Sequence, residues 1–494
     1  MITEAIKIHD RYQFEVKLNY LFEKENKVSS YKVEFFVFVP NSLGINYSTY
    51  SKKDFYSDVQ SYIRFKTPVY FLEQIATFPD SPLNKLENAF RELVRQPNKE
   101  TIRNYEYHLQ MFSSILKSAI RDHVAFITHK KDANEILQLA QNYVQTIRTI
   151  ITRFRELGNI INVPVISSEV FSIFLFADEY NSLLIEKYGF RLLNFLDKQK
   201  IEHEAFKKAM LEFIAREIDY RKSKGYESIP CEHSDNEKVI FRFSVLKKYL
   251  ESVLFVDASV KPEGRLLEQL FMGIAAGIAM LFATTVAFWG HYVYGNYTLP
   301  IFITLVISYM FKDRIKELTR IYFTSKVLTF LFDHRIKIYT DKKTRIGLFR
   351  ESFNFIKRKN IPAAVLKIRN MFRTKEFDSK FSREHVFLYQ KQIELSPKIY
   401  QKIYHDYPIS GINDILRFNV SKFLVKMDNP DKPIFVLTSD GYRQVKAQRV
   451  YHLNMVIRYV VKQTVHYARY RIVLTKKGLK RIEKVVTDSE KLAP

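Results

Sequence analysis

Cys231 and His233, two residues apart, are the chain's one cysteine–histidine spacing, because Cys231 is its only cysteine. Two ligands do not close a tetrahedral zinc site, so the spacing does not predict a metal centre. The acidic pairs Glu202 with Glu204 and Glu212 with Glu217 fall where a helix is expected. Di-iron bundles, however, need Glu-x-x-His pairs on facing helices, and no such pair occurs. His123 lies on the apolar stripe of a helix and reads as a core histidine. His405 with Asp406 and Ser439 with Asp440 are local pairs suited to turns and surface solvation. The P-loop, the dinucleotide-binding glycine turn, G-x-S-x-G, H-E-x-x-H, clustered C-x-x-C and the kinase signatures are all absent. Thirteen glycines in 494 residues leave few places where backbone could close on a phosphate. The sequence therefore predicts no catalytic residue, no metal and no cofactor, and disfavours an enzyme.

Charge is the stronger chemical signal. From Lys312 to Pro494 there are 40 Lys and Arg against 17 Asp and Glu, so +23 of the formal net charge of +25 lies there. Lys312, Arg314, Lys316 and Arg320 cluster at the start of that region. Arg443, Arg449, Arg458, Arg469 and Arg471 recur further on, among tyrosines and histidines. Basic residues beside a bilayer attract anionic headgroups. Basic, aromatic-bearing strands can also stack and neutralise single-stranded nucleic acid. These nine cations are the candidate anion-binding residues.

The element that would place them is apolar. Between Glu268 and His291 the run LFMGIAAGIAMLFATTVAFWG carries no charge, and a helix of that length matches a hydrocarbon core of about 30 Å. A second uncharged stretch runs from Tyr292 to Phe311, with a turn expected at Gly295 and Asn296, caps at Asn296 and Thr298, and Pro300 in the first turn. Together they predict a transmembrane helical hairpin over about residues 269–311. Lys261 and Arg265 precede it, the four cations from Lys312 follow it, and the connection has neither Lys nor Arg, so both termini are expected in the cytoplasm. Trp289, Tyr292, Tyr294 and Tyr297 suit the far interface. Gly273 and Gly277 form a G-x-x-x-G face for close helix packing, within the hairpin or in a homo-oligomer. A secretory signal is not visible at the N-terminus, and a single cysteine suits a reducing compartment. Residue usage rich in Lys, Ile, Phe, Tyr and Asn suggests a bacterial source, hence a multi-pass protein of the inner membrane.

Before the membrane segment, Tyr12 to Tyr20 alternate as a half-buried strand, with YKVEFFVFV as its expected antiparallel partner. Apolar residues then recur at heptad spacing from Ile102 to Phe126 and from Ile136 to Ile161, predicting long antiparallel helices of coiled-coil type. Asp132 with Glu135 provides a start signal for the second. Further helices are expected from Ser167 or Ser168 and over about 202–223. The second helix of the hairpin should run on into the cytosol through Ile315, Leu318 and Tyr322 to Leu328 and Leu331. KTRIGLFRESFNFIKRKN and AAVLKIRNMFRTKEF read as basic helices. A hairpin is expected at Asp440 and Gly441, with strands over Tyr451–Val461 and near Tyr470, and a final helix through Leu479, Ile482 and Val486.

The fold class expected is thus a membrane-anchored α+β protein. It comprises a small β or α+β module (1–83), a cytosolic helical bundle or stalk (84–262), a two-helix transmembrane hairpin with a helical extension (263–335) and a basic α+β module (336–494). The function it suggests is a cytosol-facing scaffold or adaptor on the lipid bilayer, whose basic module engages anionic lipid headgroups. The alternatives are a membrane-tethered nucleic-acid-binding protein, or a subunit of an oligomeric channel or membrane-disrupting effector.

Overall fold

The computed structural model describes residues 2–22, 28–295, 298–326, 332–340, 344–371, 384–399 and 406–485. The chain opens with strands β1 (Ile2–Ile8), β2 (Gln13–Leu21) and β3 (Ser29–Pro40), then helix α1 (Lys52–Asp58) and strand β4 (Val59–Phe65). A run of helices follows: α2 (Leu72–Thr77), α3 (Pro82–Arg95), α4 (Lys99–His129), α5 (Ala133–Ile161), α6 (Ser168–Gln199), α7 (Glu204–Ser223) and α8 (Glu237–Leu250). Strand β5 (Asp257–Pro262) leads into α9 (Arg265–Tyr294) and α10 (Leu299–Lys326). Next come β6 (His334–Tyr339), β7 (Arg345–Ile356), α11 (Ala363–Asn370), β8 (Glu384–Leu395), β9 (Gly411–Asn419) and the single turn α12 (Ser421–Leu424). Strands β10 (Asp431–Thr438), β11 (Gly441–Gln448), β12 (Tyr451–Val461), β13 (Thr464–Thr475) and β14 (Gly478–Val485) complete it. The fold is mixed α+β, with a β-rich sheet region and helices.

Two compact units emerge. The first takes residues 1–63, 256–403 and 411–494, and the second takes 64–255 with 404–410. Of the +25 net charge, the first unit holds +23, from 50 Lys and Arg against 27 Asp and Glu. The charge step at Lys312 is therefore a property of one folded body.

In that first unit a four-stranded sheet, ordered β1-β2-β9-β4, faces an eight-stranded one, ordered β14-β13-β12-β3-β8-β7-β6-β5. Alternation explains the packing: Val16, Leu18 and Tyr20 of β2 point one way, as do Val33, Phe35 and Val37 of β3, and all are buried. Rings meet across the layers, Tyr20 with Phe349 at 6.2 Å and Phe35 with Phe418 at 6.2 Å. The outer face of the large sheet carries Phe36, Phe38, Val386 and Val456, which pack with Ile361, Val365 and Ile368 on and just before α11.

Several expectations change here. β2 and β3 do not pair with each other; β2 lies between β1 and β9, and β3 between β12 and β8. The N-terminal strands thus complete the sandwich of the C-terminal ones, and residues 1–83 and 336–494 do not form two separate modules. The stretch expected as a basic helix over KTRIGLFRESFNFI is the strand β7. Buried on both faces, it lacks the clean alternation that marks a half-exposed strand. The expected last helix is the strand β14, where pairing with β13 overrides the helical propensity of LKRIEKV. Val486, Leu328 and Leu331 lie outside the described residues. The hairpin at Asp440 and Gly441 and the strands β12 and β13 match their expectations.

The second unit is the helical one. Phe112 of α4 stacks on Phe154 of α5 at 5.1 Å, and Phe154 on Phe174 of α6 at 4.9 Å. Asp132 accepts a hydrogen bond from the N–H of Glu135, satisfying one donor at the start of α5. Inside, Arg155 bridges Asp178 at 3.0 Å and Glu217 at 2.7 Å, joining α5, α6 and α7.

Candidate functional site

Within the first unit, helices α9 and α10 leave the eight-stranded sheet through one doorway. Strands β5 and β6 pair antiparallel, Asp257 opposite Tyr339 and Pro262 opposite His334, and the N–H of Glu263 donates to the carbonyl of Asp333 at 3.1 Å. Everything from 264 to 332 is thus an insertion between two hydrogen-bonded neighbours. Lys52 and Tyr56 hold Asp333 at 2.5 and 3.0 Å, and its carboxylate accepts from the N–H of Phe353 at 2.7 Å.

The two helices pack on each other through small side chains. Ala275 and Ala279 are buried on α9, Ile301 and Ser308 on α10, and an added Cβ on Gly290 would meet Thr304 at 3.5 Å. Phe271 and Phe323 stack at 4.9 Å with rings 5° apart, so the start of α9 lies beside the end of α10. Gly295, at φ 69°, ends α9 in the left-handed region that a side chain disfavours. The Thr298 hydroxyl donates back to the carbonyl of Tyr294 at 3.2 Å, and the carbonyl of Thr298 accepts from Phe302. Asn296 and Tyr297 are outside the described residues.

What the pair does not bury is more telling. Among the described residues, one helix is long and apolar enough to cross a membrane, over Glu268–Tyr294, and only 11% of its most apolar window is buried. A core helix of a water-soluble fold would be mostly covered. Leu281, Phe288, Phe302, Tyr309 and Met310 all stand exposed. α10 differs because its uncharged part, Leu299 to Phe311, is about 20 Å long at 1.5 Å per residue, short of a hydrocarbon core of about 30 Å. Lys312, Asp313 and Arg314 follow at once. Expectation and structure part here, since among the described residues α10 is not a second helix apolar over a spanning length. Gly273 and Gly277 are exposed, and a Cβ added to either would meet nothing within 4 Å, so α10 does not use that face.

Of the cations that follow the apolar part of α10, Arg314 and Lys316 are exposed, Arg320 pairs with Glu317 at 2.8 Å, and Lys312 sits 3.5 Å from the centroid of the Tyr309 ring. The register of β12 and β13 puts Arg458, Arg469 and Arg471 on one face, yet each has an internal partner. Arg458 meets Glu34 at 2.8 Å and Arg471 meets Glu483 at 3.3 Å. Arg469 is buried and donates to the carbonyls of Ile368 and Met371 at 3.0 and 2.8 Å, a cation placed at the C-terminus of α11. Arg449 pairs with Asp428. Arg443 stands on the exposed strand β11, opposite Val436, without an ion pair among the described residues.

Sequence reasoning missed a buried ionic group between the two sheets. Lys391 and Asp414, both with fully buried side chains, meet at 2.6 Å, and Ser61 donates to Asp414 at 3.1 Å. Ser61 is 3.3 Å from Lys391 Nζ, a spacing that in a Ser–Lys hydrolase would activate the hydroxyl. Here Lys391 Nζ is engaged by Asp414, and both side chains are closed off from solvent. Beside it, Glu351 accepts from Tyr389 at 2.6 Å and contacts His334 at 3.2 Å. Nothing local marks these residues, because strands far apart in sequence bring them together. In the helical unit the Nε2 of His123 is buried against Tyr143, the rings 5.8 Å apart, and burial lowers its pKa. Cys231 is exposed in a loop pinned by Asn236, whose side chain bonds both backbone groups of Cys231. Glu217 is held by Arg155 and Ser182. His405 is outside the described residues.

No protein-family model, no curated protein and no solved structure matches the chain.

Proposed function

We propose that this chain is a membrane-anchored scaffold, inserted through α9 and α10 and carrying its basic unit against anionic headgroups on the cytoplasmic side. The pairing of β5 with β6 supports this reading most directly. If α9 enters a bilayer, the chain must return to the side it left, because residues 263 and 333 belong to one ladder. A lone span would pull β5 from β6. The short apolar part of α10 then suits a tilted or locally thinned crossing, with Lys312 and Arg314 reaching back to the interface. The +23 charge of the same unit supports attraction to anionic lipid, by about 1 kcal/mol for each cation near the surface.

Topology is read with cysteines. Native Cys231 is exposed and reports the helical unit; Tyr292→Cys in a Cys231→Ser background reports the tip. The reading expects the two sites to label from opposite sides of sealed membranes. Recovery of the chain in the soluble fraction after alkaline carbonate washing removes it. Partner chemistry is tested with the full chain in zwitterionic nanodiscs, offered anionic vesicles or single-stranded oligonucleotides. Salt-sensitive capture of vesicles alone supports the lipid reading, and capture of oligonucleotide alone replaces it with the nucleic-acid one.

A second copy of the chain suits the open Gly273 and Gly277 face, since small residues allow close helix approach and α10 leaves them uncovered. Gly273→Leu with Gly277→Leu should then lower the cross-linked dimer fraction in membranes; an unchanged fraction removes this reading.

A further inference from the structure

A cavity of about 660 Å³ opens on the outer side of the eight-stranded sheet, beneath α11. Its size is that of a small-molecule site. Phe38 of β3, Ile361 and Leu366 give it an apolar floor and wall, and all three belong to the cluster that fixes α11 to the sheet. The rim is cationic. Lys357 and Arg358, in the turn after β7, are exposed and pair with no carboxylate among the described residues. Arg369 lines the wall with only 7% exposure. One edge of its guanidinium is taken by Glu384, its centre stands 5.7 Å from the Phe38 ring, and its Nε has no hydrogen-bond partner.

An apolar pocket that neutralises its one lining carboxylate and leaves two cations at the mouth with no carboxylate partner among the described residues is complementary to a molecule with a greasy body and an anionic end. A bare anion would leave the floor wet, because phosphate or carboxylate alone gains nothing from Phe38, Ile361 or Leu366. A neutral lipid would leave the rim charges unmet. We propose that this cavity binds a single-chain anionic amphiphile, an acyl or isoprenoid chain ending in a carboxylate or phosphate. The chain lies along the sheet beneath α11, and the head meets Lys357 and Arg358. This assignment is independent of whether α9 and α10 enter a bilayer.

The test uses the full chain held in amphipol, which supplies no free micelles, and a dansyl-labelled undecanoate as probe. Emission should shift to the blue and saturate. Dodecyl phosphate should displace the probe at least about tenfold more effectively than dodecanol or inorganic phosphate. Leu366→Trp, which fills the cavity, and the surface pair Lys357→Glu with Arg358→Glu should each weaken binding about tenfold or more while the circular dichroism stays unchanged. Equal probe binding in wild type and both variants would mean that the probe sits on the exposed helices α9 and α10, and the proposal fails. Displacement by inorganic phosphate as effective as by dodecyl phosphate would make this a bare anion site and also overturns it.

Discussion

Pro262 and His334 stand opposite each other as Cα partners at the end of the β5–β6 ladder, with α9 and α10 inserted between them. The strands behave as a clasp, so the ladder should persist when the chain is in membranes. Ser259 and Lys337 are directly opposed further along it, at a separation that antiparallel neighbours share with disulfides. In a Cys231→Ser background, Ser259→Cys with Lys337→Cys should oxidise to an intramolecular disulfide in the membrane fraction, read by mass spectrometry. Persistent free thiols there would mean that β5 and β6 come apart when the helices insert.

The buried pair Lys391 and Asp414 joins the two sheets of the sandwich at 2.6 Å. Removing one partner strands the other charge in the interior, at a cost of about 3–5 kcal/mol. Asp414→Asn or Lys391→Met should therefore lower the thermal midpoint sharply. Lys391→Met combined with Asp414→Leu should lower it by much less than the two single effects together. Additive losses would show that the pair is not a coupled unit.

Much of the fold was legible where one period dominates. Helix α5 announces itself because one side meets the bundle and the other meets water, whereas α4 and α6 keep apolar residues at helical spacing although His108–Leu116 and Ala177–Ile185 are buried all round, and β12 alternates in sequence although Leu453–Ile457 are covered on both faces. β7 does not, since a strand covered on both faces need not keep a period-two pattern. The sandwich itself was hidden because β3 meets β8 and β12, more than 300 residues downstream. For the candidate site, the apolar run and its flanking cations were visible. That Arg458, Arg469 and Arg471 each have a partner inside the protein was not, since Glu34, the end of α11 and Glu483 become neighbours only through sheet register.

Gly411 opens β9 opposite Leu21, and a Cβ there would sit 2.0 Å from the carbonyl oxygen of Tyr20. Backbone cannot yield as a flexible side chain can. Gly411→Ala should force β9 away from β2 and destabilise the sandwich by about 2 kcal/mol or more. Gly273→Ala serves as the contrast, because its Cβ would enter open space on a helix, where alanine is favoured by about 1 kcal/mol. Thermal midpoints in the same detergent should fall for the first and hold or rise for the second; a neutral Gly411→Ala would show that β9 can shift without cost.

Glu351 sits in the sandwich between His334, Tyr389 and Lys391. Burial opposes its charged form, but hydrogen bonds from His334 and Tyr389 and the nearby Lys391 outweigh that, leaving its carboxyl below the ordinary 4.5. As the pH falls, the unfolded chain, whose Glu keeps that ordinary value, takes up the proton first. The stabilisation is thus fully present above about pH 4.5 and is lost as the pH drops through the lower folded-state value. Glu351→Gln keeps the shape and removes the titration. The stability advantage of the wild type over Glu351→Gln should be constant from about pH 7 to about pH 5 and shrink below that, read as the difference in thermal midpoint at each pH. A difference that grows on acidification would mean that the folded protein binds the proton more tightly than the unfolded chain, the reverse of what this hydrogen-bond set implies.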